Sequence, residues 1–118
     1  MKKKIENKLK KVLNNINLDQ EISNYFLYAV DHCKKNNTYM LDIDLTNDIY
    51  PFLSSKSNLT PSAVEARMVK ALKRSFETTN KSTYLTTLGY DKRITVKKLL
   101  IILLLIVEKE ETTIVKKK

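Results

Sequence analysis

One glycine and two prolines in 118 residues leave this chain almost no means of making tight turns. Strand-rich folds need a reversal every few residues, supplied by Gly, Asn-Gly or Asp-Gly. Neither dipeptide occurs. Long helices joined by short polar links are therefore expected: an all-α fold, a compact bundle of about six helices, in one domain spanning residues 1–118. With 42% hydrophobic and 30% charged residues the chain has an ordinary globular composition, so a packed core is expected rather than disorder.

Apolar periodicity places the helices. Ile5, Leu9, Val12, Leu13 and Ile16 fall at helical spacing and predict a helix over 3–14, broken at Asn15 and Asn17. A second opens at Leu18 or Asp19, carries Ile22, Tyr25, Phe26, Ala29 and Val30 on one face, and stops at Asn36-Asn37. Asp44 or Thr46 caps a third, with Leu45, Ile49, Phe52 and Leu53 turned inward. Pro51 should kink or shorten that helix, and residues 54–58 read as a polar link. The best-marked start follows: Thr60-Pro61 places a cap before proline at the first helical position, and Ser62 with Glu65 offers a competing capping box. That helix should span 61–77. A short helix over 84–88 should close at Gly89, and the last should span 95–111, although its β-branched content also suits a strand. Residues 1–4 and 112–118 read as flexible basic tails.

The net charge of +9 invites a polyanionic partner, but Lys2, Lys3, Lys4, Lys116, Lys117 and Lys118 supply six of it and leave +3 for the body. What matters is where the remaining charges lie. The third and fourth helices, joined by a short link and with the second strongly capped, form a helix-turn-helix pattern. Projected at ~100° per residue, Val64, Met68, Ala71, Leu72, Ser75 and Phe76 gather on one side of the fourth helix. Ser62, Ala63, Ala66, Arg67, Lys70, Lys73 and Arg74 gather on the other. Small residues allow close approach to a duplex, cations neutralise phosphates, and the first turn points backbone N–H groups outward. The same basic flank also suits an ordinary solvated face.

Three segments carry a family resemblance: Asp48-Ile49-Tyr50-Pro51-Phe52-Leu53, then Asn58-Leu59-Thr60-Pro61-Ser62-Ala63-Val64-Glu65-Ala66-Arg67, then Leu88-Gly89-Tyr90. Together they resemble the C-terminal DNA-binding effector domain of the stage-zero sporulation response regulators of endospore-forming bacteria. That family has a Tyr-Pro pair in the first helix of its motif, a Thr-x-Ser-x-Val-Glu start to its recognition helix, and a Leu/Phe-Gly-Tyr after it. The resemblance implies a six-helix transcription factor whose recognition helix starts at Pro61, with Thr60, Ser62, Ala63, Glu65 and Ala66 at the DNA; the projected flank adds Arg67, Lys70, Lys73 and Arg74 as the expected phosphate and base contacts. The expected partners are double-stranded DNA, a second copy bound in tandem or as a dimer on that DNA, and RNA polymerase. The family domain follows a receiver and a linker that this sequence lacks, so control by phosphorylation is not expected. The family also carries arginines where Ala63 and Ala66 stand. Arginine reads guanine bidentately at ~1–3 kcal/mol per pair, whereas alanine offers only contact with a thymine methyl. A changed or weaker sequence preference follows. The alternative is a protein-interaction module or antagonist that keeps the fold with weak base readout, using the apolar run 99–107 (LLIILLLIV) to pair with a partner or a second copy.

Other chemistries lack their parts. Asp31, His32 and Cys33 adjoin, but no second Cys or His cluster completes a metal site. Counted from Asp42, the sixth and twelfth places of a calcium loop hold Asn47 and Leu53 instead of Gly and Glu, so capping explains Asp42, Asp44 and Asp48. One Gly and one His leave neither a phosphate-cradling loop nor a catalytic triad, so no enzyme activity and no cofactor are expected. The run 99–107 is nine residues, against ~20 for a membrane span, and reads as a buried final helix. The lone Cys33 and the lack of an apolar leader segment indicate a cytoplasmic protein with no membrane association.

Overall fold

The chain turns where asparagine does the work usually given to glycine. Asn17, Asn37 and Asn58 adopt left-handed backbone (φ 55°, 51° and 61°), and each lies just after a helix; Gly89 (φ 69°) is the fourth such turn. Asparagine tolerates this region better than other side chains because its short amide can bond locally. The computed structural model describes residues 1–116, with side chains through Thr112. Among the described residues six α-helices form: α1 Lys3–Asn15, α2 Gln20–Lys35, α3 Tyr50–Ser57, α4 Pro61–Thr78, α5 Lys81–Leu88 and α6 Val96–Lys116. No strand occurs among the described residues, so the last segment is helical despite its β-branched content.

Caps explain most of the starts. The Asp19 side chain accepts from Glu21 N–H at 2.8 Å and opens α2. Asn80 accepts from the N–H groups of Ser82 and Thr83 at 2.9 and 3.2 Å, so α5 begins at Lys81, three residues before the apolar pattern alone suggests. Thr95 accepts from Lys98 N–H at 3.2 Å and opens α6. Between α2 and α3 a 3₁₀ turn (Met40–Asp42) leads to a π-helical turn (Leu45–Ile49) capped by Asp44, which accepts from Asn47 N–H at 3.0 Å. Pro51 sits in the first turn of α3, where its missing N–H costs nothing; the expected interior kink is instead a change from π to α winding just ahead of it. Residues 54–57 continue α3, so the polar link expected over 54–58 contracts to Asn58, Leu59 and Thr60.

The core gathers Leu9, Leu13, Ile16, Phe26, Val30, Ile49, Leu53, Val64, Met68, Leu99 and Leu103, all essentially without solvent contact. Most of the 99–107 run is spent here: Leu99, Leu100, Leu103, Leu104 and Val107 are buried, Ile101, Ile102 and Ile106 half-buried, and Leu105 alone is half exposed. The run is thus a buried helix face, which removes the ground for treating it as an outward pairing surface. Among the described residues no helix is long and apolar enough to cross a membrane.

Both ends extend further into helix than expected for free tails. α1 starts at Lys3 and α6 runs to Lys116, while 117 and 118 lie outside the described residues. Past residue 107 the apolar pattern ends and ion pairs take over: Lys8 of α1 binds Glu110, and Lys34 of α2 binds Glu111 at 2.8 Å. The hydrogen bond from Lys8 holds the Glu110 carboxyl below the usual carboxylate range.

Candidate nucleic-acid interface

α4 begins because the Thr60 hydroxyl accepts from Ala63 N–H at 3.1 Å and Pro61 fits the first turn. Thr60, not Ser62, is therefore the cap, and the Ser62/Glu65 capping box does not form; both side chains are exposed. α4 follows α3 across three residues, and the two helices pack directly on each other.

One side of α4 is fixed by the core. Val64, Met68, Leu72 and Ser75 are buried, with Ala71 and Phe76 half-buried beside them. Ser75 is the polar member of this stripe, and its hydroxyl donates to the carbonyl of Ile16. Thr79 donates to the same carbonyl at 2.8 Å and accepts from Asn17 Nδ2 at 3.3 Å. The end of α4 is thereby tied to the turn between α1 and α2. These three residues position the helix; the projection put Ser75 on the inner side without naming its partner, and Thr79 lies beyond the expected end of the helix at 77.

The opposite side faces solvent. Ser62, Ala66, Lys70 and Lys73 form an exposed ridge with Glu77 at its far end; Ala63 is half-buried beside it, and Glu65 is exposed. Val69, half exposed, adds an apolar contact point to the same side. Arg67 and Arg74 are exposed as well but lean to the flank that faces the start of α2. Together with Lys70, Lys73 and Glu77 they border a groove of about 770 Å³ against Asn17, Asp19 and Glu21. Arg67 Nη1 lies 2.8 Å from Glu21 Oε1, with both side chains about half exposed. All four expected cations therefore border this groove and differ in their pairing rather than in their side of the helix. Lys70 and Lys73 point outward without a carboxylate partner among the described residues, whereas Arg67 is held by an acid 46 positions earlier.

The other flank of α4 meets α5. Phe76 packs edge-on against Tyr84 (centroids 5.2 Å apart), and the Tyr84 hydroxyl accepts from Ile94 N–H at 3.0 Å. Burial raises the Tyr84 pKa above its ordinary value, so the phenol stays protonated in this bond.

The remaining chemically capable residues are engaged elsewhere. His32 Nε2 lies 2.8 Å from Asp48, Asn36 Nδ2 sits 3.2 Å from Nδ1, and the ring stacks on Phe52 at 4.0 Å. Asp48 thus pairs with His32 rather than capping a helix, and of the three acids read as caps only Asp44 has that role. Cys33 is buried, and burial together with the Asp48 charge pushes its thiol up to about 11. No three His, Cys, Asp or Glu side chains converge on a metal-sized site among the described residues.

Comparison of the chain with protein-family models, with curated proteins and with solved structures returns no match.

Proposed function

We propose that this chain binds duplex DNA through α4, as a transcriptional regulator of the sporulation-effector-domain type. The observation that carries the reading is the outward ridge of α4: Ser62 and Ala66 in the first turns, then Lys70 and Lys73, exposed on the side opposite a buried apolar stripe. The succession of α3, a three-residue link and a proline-started α4 supports reading the pair as a helix-turn-helix. The small residues let the start of α4 approach base edges, and the lysines sit where phosphates flank the groove. With alanine at 63 and 66, affinity rests on phosphates, and base readout is weak.

Selection from randomised duplexes at ~0.15 M salt, followed by titration of the winners, tests this reading. Retention of duplex DNA with a shallow sequence preference is expected, together with loss of most binding in Lys70→Ala/Lys73→Ala. A double variant that binds as tightly as the parent removes the proposal.

The pairing of Arg67 with Glu21, and the exposed Val69 on the same helix, support a second reading, a protein-interaction module that keeps this fold with weak base readout. A duplex affinity that no α4 substitution alters, beside a tight protein complex that Val69→Glu abolishes, favours it.

A further inference from the structure

Residues 91–98, between α5 and the first turn of α6, hold Lys92, Arg93, Lys97 and Lys98 against one acid, Asp91. Their net +3 equals the entire surplus of the chain once the two terminal lysine clusters are set aside. Lys97, half-buried, is partly answered by Asp44, whose carboxyl pKa its charge helps to lower. Lys92 and Arg93 are exposed and have no carboxylate within ion-pair distance among the described residues. Lys98 lies over the Tyr90 ring at 3.8 Å, an arrangement that orients the cation and leaves its charge uncompensated. Lys97 and Lys98 also occupy the first turn of α6, where the helix dipole favours acids and none is present. Lys92, Arg93 and Lys98, exposed and without a paired acid among the described residues, mark a surface kept for an external anion.

Its position says which anion. Ile94 is held by the Tyr84 hydroxyl, and Tyr84 by Phe76 of α4, so the loop is fixed two side chains away from the proposed recognition helix. That link reaches α4 at Phe76, in its last turn, which is not part of the lining of the Asp19 and Glu21 groove. A duplex laid across α4 meets acids on one side and these cations on the other.

We infer that the 91–98 loop clamps the sugar-phosphate backbone of the duplex bound by α4, and that the DNA leans toward α5 and away from α2. This rests on the proposed duplex binding by α4. The test is titration of wild-type protein, Lys92→Gln/Arg93→Gln, and a control with Lys2, Lys3 and Lys4 changed to Gln, against random-sequence duplexes over a range of salt. Each phosphate contact contributes about 0.9 to the log–log salt slope. The loop variant is expected to lose about 2 from that slope and roughly ten- to a hundredfold in affinity at 0.1 M salt, equally for all sequences. Lys92 and Arg93 form no ion pair among the described residues, so melting should change little. An unchanged slope in the loop variant, or an equal loss in the terminal control, overturns the clamp while leaving duplex binding intact. Failure of the wild-type protein to bind any duplex overturns the reading beneath it.

Discussion

At the scale of single residues, the buried polar atoms set the tolerances. The Ile16 carbonyl accepts from both Ser75 and Thr79, so either hydroxyl alone keeps it satisfied. Ser75→Ala should therefore cost little, whereas Ser75→Ala/Thr79→Val should cost about 1–3 kcal/mol, measurable as a non-additive double-mutant cycle in urea unfolding. Cys33 offers a pH readout. Its thiol pKa is raised from 9.0 to about 11 in the fold, chiefly by burial, so between pH 9 and 11 the unfolded chain releases a proton that the folded chain keeps. Its contribution is present below pH 9 and is lost as pH rises toward 11. Thermal melts should show this loss, reduced in Cys33→Ala, and the native thiol should react slowly with disulfide reagents at pH 8. Neither the shared carbonyl nor the Asp48 charge near Cys33 is legible in sequence, because the partners lie 15 or more positions apart.

At the scale of elements, the legible parts were those written in local chemistry. α4 follows from Thr60-Pro61 and a clean apolar period, and its buried and exposed sides match the projection, Ser75 included. α3 was harder. Its π turn depends on Asp44 bonding to Asn47, and its end depends on Asn58 taking a left-handed conformation that a polar run does not announce. The far end of α6 is held by Lys8 and Lys34, so its length is a tertiary outcome. Asn58→Val should destabilise the domain by about 1–2 kcal/mol, since a β-branched residue fits φ 61° badly, while Asn58→Gly should be close to neutral. Thr60→Ala should cost about 1 kcal/mol through the lost cap. Chemical denaturation checks all three.

At the scale of the whole molecule, a radius of gyration of 14.0 Å is close to the ~13.5 Å expected of a compact chain this long, so the surface charges sit on one body. Sequence alone placed the cations of α4 on one flank but could not show which of them an acid holds. Glu21 is distant in sequence, yet it captures Arg67 and gives one side of α4 an acidic border. That pair is half exposed, so breaking it has little consequence for stability and a larger one for the field a phosphate meets. Glu21→Gln is expected to leave melting unchanged and to tighten duplex binding, with a salt slope steeper by about 1. The most direct measurement is a map of backbone amide shifts in nuclear magnetic resonance as duplex DNA is added. Shifts concentrated in residues 61–73 and 91–98, with α1 and the first turns of α2 unmoved, are the expected result. Shifts confined to the terminal lysines, with α4 silent, contradict a duplex seated on this helix.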